Sequence, residues 1–394
     1  MKPLQGIKVV DFTQSHGGSA TTMYLADFGA EVIKIERREY GDPARSWPPF
    51  KESSSAYFSL LNRGKKSITL DLRKEEGVEV IRKLVMESDI IVENFKAGTM
   101  ESYGLGYEDI KKINPKIIYA QLTGFGSTGP LKDYPAYDIV VQAMSGIMDV
   151  TGFSDGPPTK MGPPVGDYFS AVYLTAGINM ALFNRERTGI GQKVELGMVD
   201  ALVSALEDKI AHYSVANVMP SRVGNAHPMI APYDTLETKD GYVSLGISTD
   251  NQWENFCMAL DISELAVDKR YNSNEKRGAN YFTSLRVIIE SITKTLTTSE
   301  ILQKLDHYQI PAGKVNTVVE ALELPQTKAR DMLVEITDKS LGKVKVPGIH
   351  VKLHGTPGSI DKGAPLLGYH TEEVLESIGY SQTDISELRD KKII

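Results

Sequence analysis

One cysteine in 394 residues leaves no partner for an internal disulfide and no thiolate cluster for zinc or an iron–sulfur centre. Cys257 therefore reads as a small, partly buried apolar side chain. Histidine is scarce too, at seven residues. Only His350 and His354 stand four apart, and the alternation over residues 349–354 reads as a strand that separates them by about 13 Å. The pairs Asp208/His212 and His370/Glu373 have helical spacing but no third ligand nearby, so both are assigned to surface or capping roles and no metal is predicted. There is no run of roughly 20 uninterrupted apolar residues, the length a membrane span needs, and Met1-Lys2-Pro3-Leu4 leads into a strand without an apolar signal core. A cytoplasmic protein is expected. Basic residues are outnumbered, and the net charge of −7 argues against binding to nucleic acid or to an anionic membrane. Any anionic ligand must be held by a local cluster.

With 41% hydrophobic and 24% charged residues, the chain is an ordinary globular protein long enough for two domains rather than a disordered one. Between residues 7 and 122, short β-branched runs alternate with amphipathic stretches. Ile7-Lys8-Val9-Val10-Asp11, Val32-Ile33-Lys34-Ile35-Glu36, Ser67-Ile68-Thr69-Leu70, Ile90-Ile91-Val92 and Ile117-Ile118-Tyr119-Ala120 read as strands. This rhythm predicts βαβ units and a mainly parallel sheet with helices on both faces. Residues 75–86 form a predicted helix with Val78, Val80, Ile81, Leu84 and Val85 as its buried stripe. A helix is predicted over about 168–187, with Asp167 in the N-cap position, and another over 199–215. The large domain is placed at 1–200, a linker or lid at 201–228, and a smaller α+β domain at 229–320. Residues 321–394 form a further segment.

Doubly wound sheets bind ligands at the C-terminal ends of their strands. After the first predicted strand comes Phe12-Thr13-Gln14-Ser15-His16-Gly17-Gly18-Ser19, a glycine-bearing turn that lacks the spacing of GxGxxG or of a P-loop. The second strand ends in Glu36-Arg37-Arg38, where an acid suits a ribose and the arginines a phosphate, as in NADP or a CoA nucleotide; a solvated charge cluster is the alternative. Arg63-Gly64-Lys65-Lys66, with Arg73 beyond, adds basic residues for a polyphosphate. An aspartate before a helix is most often a simple cap, yet the helix dipole there also favours an ionised carboxylate, so Asp167 is a candidate nucleophile. Tyr137-Asp138 forms a polar pair on a turn.

Several blocks, in order along nearly the whole chain, resemble the class III CoA-transferase (CaiB/BaiF) family, which includes formyl-CoA and carnitine CoA-transferases and α-methylacyl-CoA racemases. They include Leu4-Gln5-Gly6-Ile7-Lys8-Val9-Val10-Asp11, Leu25-Ala26-Asp27-Phe28-Gly29-Ala30-Glu31, Gly41-Asp42-Pro43-Ala44-Arg45 and Asn62-Arg63-Gly64-Lys65-Lys66. Val92-Glu93-Asn94-Phe95, Pro135-Ala136-Tyr137-Asp138, Thr188-Gly189-Ile190-Gly191-Gln192 and Ala364-Pro365-Leu366-Leu367-Gly368 complete the set. The resemblance implies a Rossmann-like large domain built from both chain ends, a smaller domain between them, and an interlocked homodimer. It also implies transfer of coenzyme A from an acyl-CoA to a small carboxylic acid, with no permanently bound cofactor and with Asp167 as the nucleophile. By the same resemblance, Ser15, Arg37, Leu70, Arg73, Asn94 and Phe95 fall where CoA is held, and Tyr137, Gln14 and His16 lie beside the reacting group.

The chain departs from the formyl-CoA transferases in that first loop. Those enzymes carry His and then Gln where Gln14 and His16 stand here, and their Ala-Gly-Pro reads Gly17-Gly18-Ser19. Their four-glycine run is absent, which removes the main ground for naming formate or oxalate. Three other functions compete. A racemase of the same superfamily would have His in place of Tyr137, whose phenol is too weak an acid for ready proton exchange at neutral pH. An NADP-dependent oxidoreductase would use the Glu36-Arg37-Arg38 strand end, and a non-catalytic acyl-CoA-binding protein would have no use for Asp167 as a nucleophile.

Overall fold

The computed structural model describes residues 1–394. Six strands form one wholly parallel sheet: β1 (Lys8–Asp11), β2 (Glu31–Glu36), β3 (Lys66–Thr69), β4 (Ile90–Glu93), β5 (Ile118–Thr123) and β6 (Lys193–Gly197). Their order across the sheet is β3-β2-β1-β4-β5-β6. This is the Rossmann order, which reverses direction between β1 and β4 and opens a crevice at the C-terminal ends of those two strands.

Parallel strands are covered on both faces, which is why they read as near-continuous apolar runs. Val9, Val10, Ile90, Ile91 and Val92 are all fully buried. The helices that position the site are α1 (Gly17–Asp27), α2 (Ala56–Asn62), α3 (Glu75–Met86), α4 (Asp138–Met144) and α5 (Val165–Thr188). The predicted stripe of α3 is buried, and it packs with Val10, Ile33, Ile68 and Ile91. Ala20, Met23 and Tyr24 of α1 meet Ala171 of α5.

The chain divides into two compact units, one formed by 1–147, 160–210 and 325–394, the other by 148–159 and 211–324. In the first unit the C-terminal segment returns to the sheet edge. His370 N–H donates to Ser67 O at 2.9 Å, and Val374, Leu375, Ile385, Leu388 and Ile393 join the core around α3. The second unit holds a three-stranded antiparallel sheet in which Gly241–Gly246 is central, flanked by Tyr233–Thr238 and Ala312–Lys314. Its core gathers Leu236, Val243, Trp253, Phe256, Ile301 and Leu305.

Three sequence expectations are corrected. The long helix starts at Val165 rather than near 168, so Asp167 sits inside the first turn and Pro164 occupies the N-cap. Proline fits this entry because it is tolerated just ahead of a helix, and Asp138 caps the turn from outside by accepting the Gly166 N–H at 2.8 Å. The stretch 199–215 is two helices, Met198–Ser204 and Glu207–Ala216. Residues 349–354 form no strand. The preceding hairpin ends at Pro347, which has no N–H to extend a ladder, and His350 instead packs edge-on against Tyr24 at 4.9 Å.

Candidate active site

The loop after β1 crosses the crevice, where no neighbouring strand is available for its polar backbone groups, and side chains take that place. Asp11 accepts the Thr13 N–H at 2.8 Å, and Lys34 Nζ donates to Thr13 O at 2.6 Å. Asn94 meets Gln14 twice: the Gln14 N–H donates to Oδ1 at 2.8 Å and Nδ2 donates to Gln14 O at 2.9 Å. Ser15, with φ of 65° in the left-handed region, donates its N–H to Asp42 Oδ1 at 3.1 Å. His16 Nδ1 lies 2.7 Å from Tyr57 Oη. Burial holds the His16 imidazole below its ordinary value, against the opposing pull of Asp138.

Beneath this loop lies a buried set of charges. Lys34 Nζ is 2.9 Å from Asp42 Oδ2, and Lys65 Nζ is 3.0 Å from Asp11 Oδ2. Burial pulls Lys65 down to about 8, even though Asp11 opposes the shift. These pairs are inaccessible to water and serve to organise the loop.

Gly17 opens α1 against Asp167. A Cβ on Gly17 would come within 3.2 Å of Asp167 Oδ1 and 3.1 Å of Leu122 Cδ2, so glycine is what allows this approach. The Asp167 carboxyl is pushed up to about 6, first by burial and second by the Asp138 carboxylate, while the Gly17 N–H holds it down. The first-turn position alone favours ionisation, but here burial and a like charge outweigh it. At neutral pH the group is still mostly an anion, and a more basic one than an ordinary aspartate. Burial, Asp167 and Asp138 together push the Tyr57 phenol up to about 12.

Beside the crevice lies a cleft of about 330 Å³ lined by Phe12, Gln14, Arg37, Leu70, Arg73 and Phe95, among others. Five of the residues expected at the site therefore share one surface. Ser15, His16, Asn94, Tyr137 and Asp167 do not line it. Both amide ends of Asn94 are engaged with the Gln14 backbone. Tyr137 caps α4, and its ring is 72% exposed.

Two ligand-binding expectations from charge are corrected. Glu36 cannot offer its carboxylate to a ribose: it accepts from Arg45 Nε and Nη2, each at 2.7 Å, from Ser67 Oγ at 2.6 Å and from Asp42 N–H at 2.9 Å. The 63–66 cluster is also internally paired, Arg63 with Asp27, Lys65 with Asp11, and Lys66 with Glu31 and Glu373. Arg73 holds Asp71 through two bonds of 2.8 Å. Arg37, exposed in the cleft, has no ion-pair partner and can meet a phosphate; Arg38 beside it is also without one and gives only its Nε, to Ile394 O at 2.8 Å.

Asp42 and Tyr57 are additions that the sequence did not single out, and Asp138 was named there only as half of a polar pair. Asp42 carried one usable signal, an Asp directly before Pro43, which marks a turn whose side chain caps its own backbone. It does so through the Ala44 N–H at 2.8 Å. Asp138 lay in a recognised pair in which Tyr137 drew the attention. Tyr57 had no local signal, because its partner His16 is 41 residues away.

A Rossmann-ordered sheet with a cleft at the ends of β1, β2 and β4 is the usual setting for a nucleotide-bearing ligand in an α/β protein, and a perturbed carboxylate stands at the adjoining helix terminus. Residues 4–371 match the model of CoA-transferase family III. The chain is 38% identical to succinate–glutarate CoA-transferase of Agrobacterium fabrum, over 95% of this chain and 96% of that protein. It is 40% identical to succinyl-CoA:mesaconate CoA-transferase of Haloarcula hispanica, over 96% and 97% respectively. Acetyl-CoA:oxalate CoA-transferase of Acetobacter aceti is 39% identical, over 93% of each. A crystal structure of a CaiB/BaiF family protein from Brucella suis has a TM-score of 0.85 at 39% identity, covering 96% of this chain and 99% of that one. The chain belongs to CoA-transferase family III and is an enzyme of that class. No helix is long and apolar enough to cross a membrane.

Proposed function

We propose that this enzyme moves CoA from an acyl-CoA to a free small dicarboxylic acid through a thioester formed on Asp167. The observation that carries the reading is the Asp167 carboxylate itself, partly buried, raised to about 6 and lying against Gly17, at the end of the loop whose Phe12 and Gln14 line the cleft. The names of the relatives, which pair succinate with glutarate, succinyl-CoA with mesaconate and acetyl-CoA with oxalate, support a dicarboxylate as acceptor.

An Asp167 oxygen attacks the thioester carbonyl, the C–S bond breaks, and a mixed anhydride and CoA thiolate result. The thiolate then attacks the aspartyl carbonyl, so the donor acid leaves as its carboxylate and CoA is joined to Asp167. The acceptor carboxylate attacks that thioester, again expelling thiolate and forming a second anhydride. Attack of the thiolate on the acceptor's acyl carbon completes the transfer and restores the Asp167 carboxylate. The Gly17 N–H is the donor that stabilises charge at the aspartyl group, and burial slows hydrolysis of both intermediates. Arg37 holds a phosphate of CoA, and Leu70 and Phe95 supply apolar wall. Tyr137 and Gln14 border the acyl group.

A homodimer fits this reading. Helix α5 leaves Met180 at 71% and Phe183 at 67% exposure, along with Tyr168 and Tyr173, an apolar strip that a monomer would expose to water. The test is CoA exchange from succinyl-CoA to a panel of dicarboxylates and monocarboxylates, with Asp167→Ala in parallel. Transfer to a dicarboxylate that is lost in the variant supports the proposal, and undiminished transfer by Asp167→Ala contradicts it.

A further inference from the structure

We propose that Asp42 and Asn94 are positioning residues that clamp the backbone of residues 13–15 from two sides, holding Gln14 at the cleft and, just beyond, the Gly17 backbone against Asp167 as one unit. The inference rests on Asp167 being the nucleophile. Neither side chain hydrogen-bonds to Asp167; both bond instead to the loop that leads to Gly17.

Consecutive backbone groups of the loop are each taken by a side chain from another element. Thr13 O is held by Lys34, both Gln14 groups by Asn94 and the Ser15 N–H by Asp42. Lys34 and Asp42 are themselves an ion pair at 2.9 Å with both side chains buried, so the grips on Thr13 and Ser15 are joined to one another. Between them Ser15 adopts a left-handed φ of 65°, a conformation a serine keeps only where its surroundings over-determine it. Asn94 supplies the opposing grip from the end of β4, across the point where the sheet reverses. The loop leaves this clamp directly into Gly17. A shift of the clamp therefore moves one wall of the cleft and the N–H on the nucleophile together.

The predicted signature separates this role from simple structural support. Asp42→Asn loses the ion pair with Lys34 but keeps an oxygen for the Ser15 and Ala44 N–H groups, whereas Asp42→Ala loses both. The titratable groups facing Asp167 are Asp138 from α4, Tyr57 from α2 and, hydrogen-bonded to Tyr57, His16. Asp42, whose charge also reaches Tyr57, is removed as a charge equally in Asp42→Ala and Asp42→Asn, and Asn94→Ala removes no charge, so the limb difference between the two Asp42 variants and the limb of Asn94→Ala report the loop at Gly17.

The test is CoA exchange between succinyl-CoA and a dicarboxylate accepted by the wild type, measured across pH with purified full-length protein. Asp42→Ala is expected to lower kcat by roughly 10- to 100-fold, the scale of a misplacement of about 1 Å. It should also move the acid limb upward by about half to one pH unit as Asp167 loses its donor. Asp42→Asn should restore most of kcat and the wild-type limb. Asn94→Ala disturbs no buried charge and should reproduce the limb shift, so it decides the question if Asp42→Ala does not fold. Equal losses in Asp42→Ala and Asp42→Asn with the limb unmoved in both, or an unmoved limb in Asn94→Ala, would overturn the proposal. Exchange retained by Asp167→Ala would overturn the nucleophile assignment, and the clamp's catalytic role with it, and is read from that variant alone.

Discussion

Replacing Asp138 by asparagine tests how the site sets the basicity of Asp167, the proposed nucleophile. The Asp167 carboxyl rises from 3.8 to about 6, with burial the largest cause and the Asp138 charge the next. The shift corresponds to about 3 kcal/mol in favour of the neutral form. Removing a like charge that ranks below burial should return about half to one pH unit of it. The reactive form is the carboxylate, so wild-type kcat/KM should fall as pH drops through about 6, and in Asp138→Asn that fall should move toward acid. The asparagine keeps an oxygen for the Gly166 N–H, so the first turn of α5 should stay in place. Gln142 is less well served: its Nε2 donates to Asp138 Oδ2 at 2.7 Å and its Oε1 accepts the Met161 N–H at 2.9 Å, so it cannot simply flip to suit an amide. Some loss of kcat at the plateau is therefore expected alongside the displaced limb. Steady-state CoA exchange between about pH 5 and 8 gives both quantities. A limb that stays in place or moves toward alkali would refute the electrostatic account of Asp167.

Glu93 stands under the Asn94-Phe95 turn, accepting the Phe95 N–H at 2.8 Å and Gln121 Nε2 at 2.5 Å. Burial pushes its carboxyl from 4.5 up to about 7, so its contribution to stability is full below about 4.5 and is lost as pH rises through 7. Glu93→Gln should then stabilise the fold at pH 8 by up to about 3 kcal/mol and have little effect at pH 4.5; the buried, unpartnered Gln121 Oε1 can accept the new amide. Denaturant melts at the two pH values check this, and equal shifts at both would contradict it. Arg37→Ala should raise KM for acyl-CoA by about tenfold, the loss of one charge-assisted contact, and leave kcat little changed. Arg73→Ala should do less, because Arg73 is already spent on Asp71; initial rates over a range of acyl-CoA concentrations compare the two, and a larger effect from Arg73 would reverse their roles.

The parallel sheet was legible because its strands are short β-branched runs spaced by amphipathic helices, and each of the five expected strands starts within one residue of its expected place. What could not be read was the destination of charge. Glu36 at a strand end looks the same in sequence whether it faces a ribose or Arg45, and only the fold brings Arg45 and Ser67 onto it. Lys65 and Arg63 likewise look like phosphate ligands until Asp11 and Asp27 are seen to neutralise them. Asp167 reads by itself as a helix cap; its weight as a nucleophile came from the family resemblance, and its raised basicity follows from burial and from Asp138, neither of which local pattern reveals. Asn94 was placed at the site, but its pairing with Gln14, 80 residues earlier, was not foreseeable.

The central claim is that Asp167 carries CoA covalently during turnover. Intact and peptide mass spectrometry of the enzyme, quenched in acid after mixing with succinyl-CoA and no acceptor acid, tests it directly. The account predicts a CoA adduct on the peptide containing Asp167 that disappears when a dicarboxylate acceptor is added and never forms in Asp167→Ala. Turnover without such an adduct, or an adduct on another residue that is discharged by the acceptor, would contradict it.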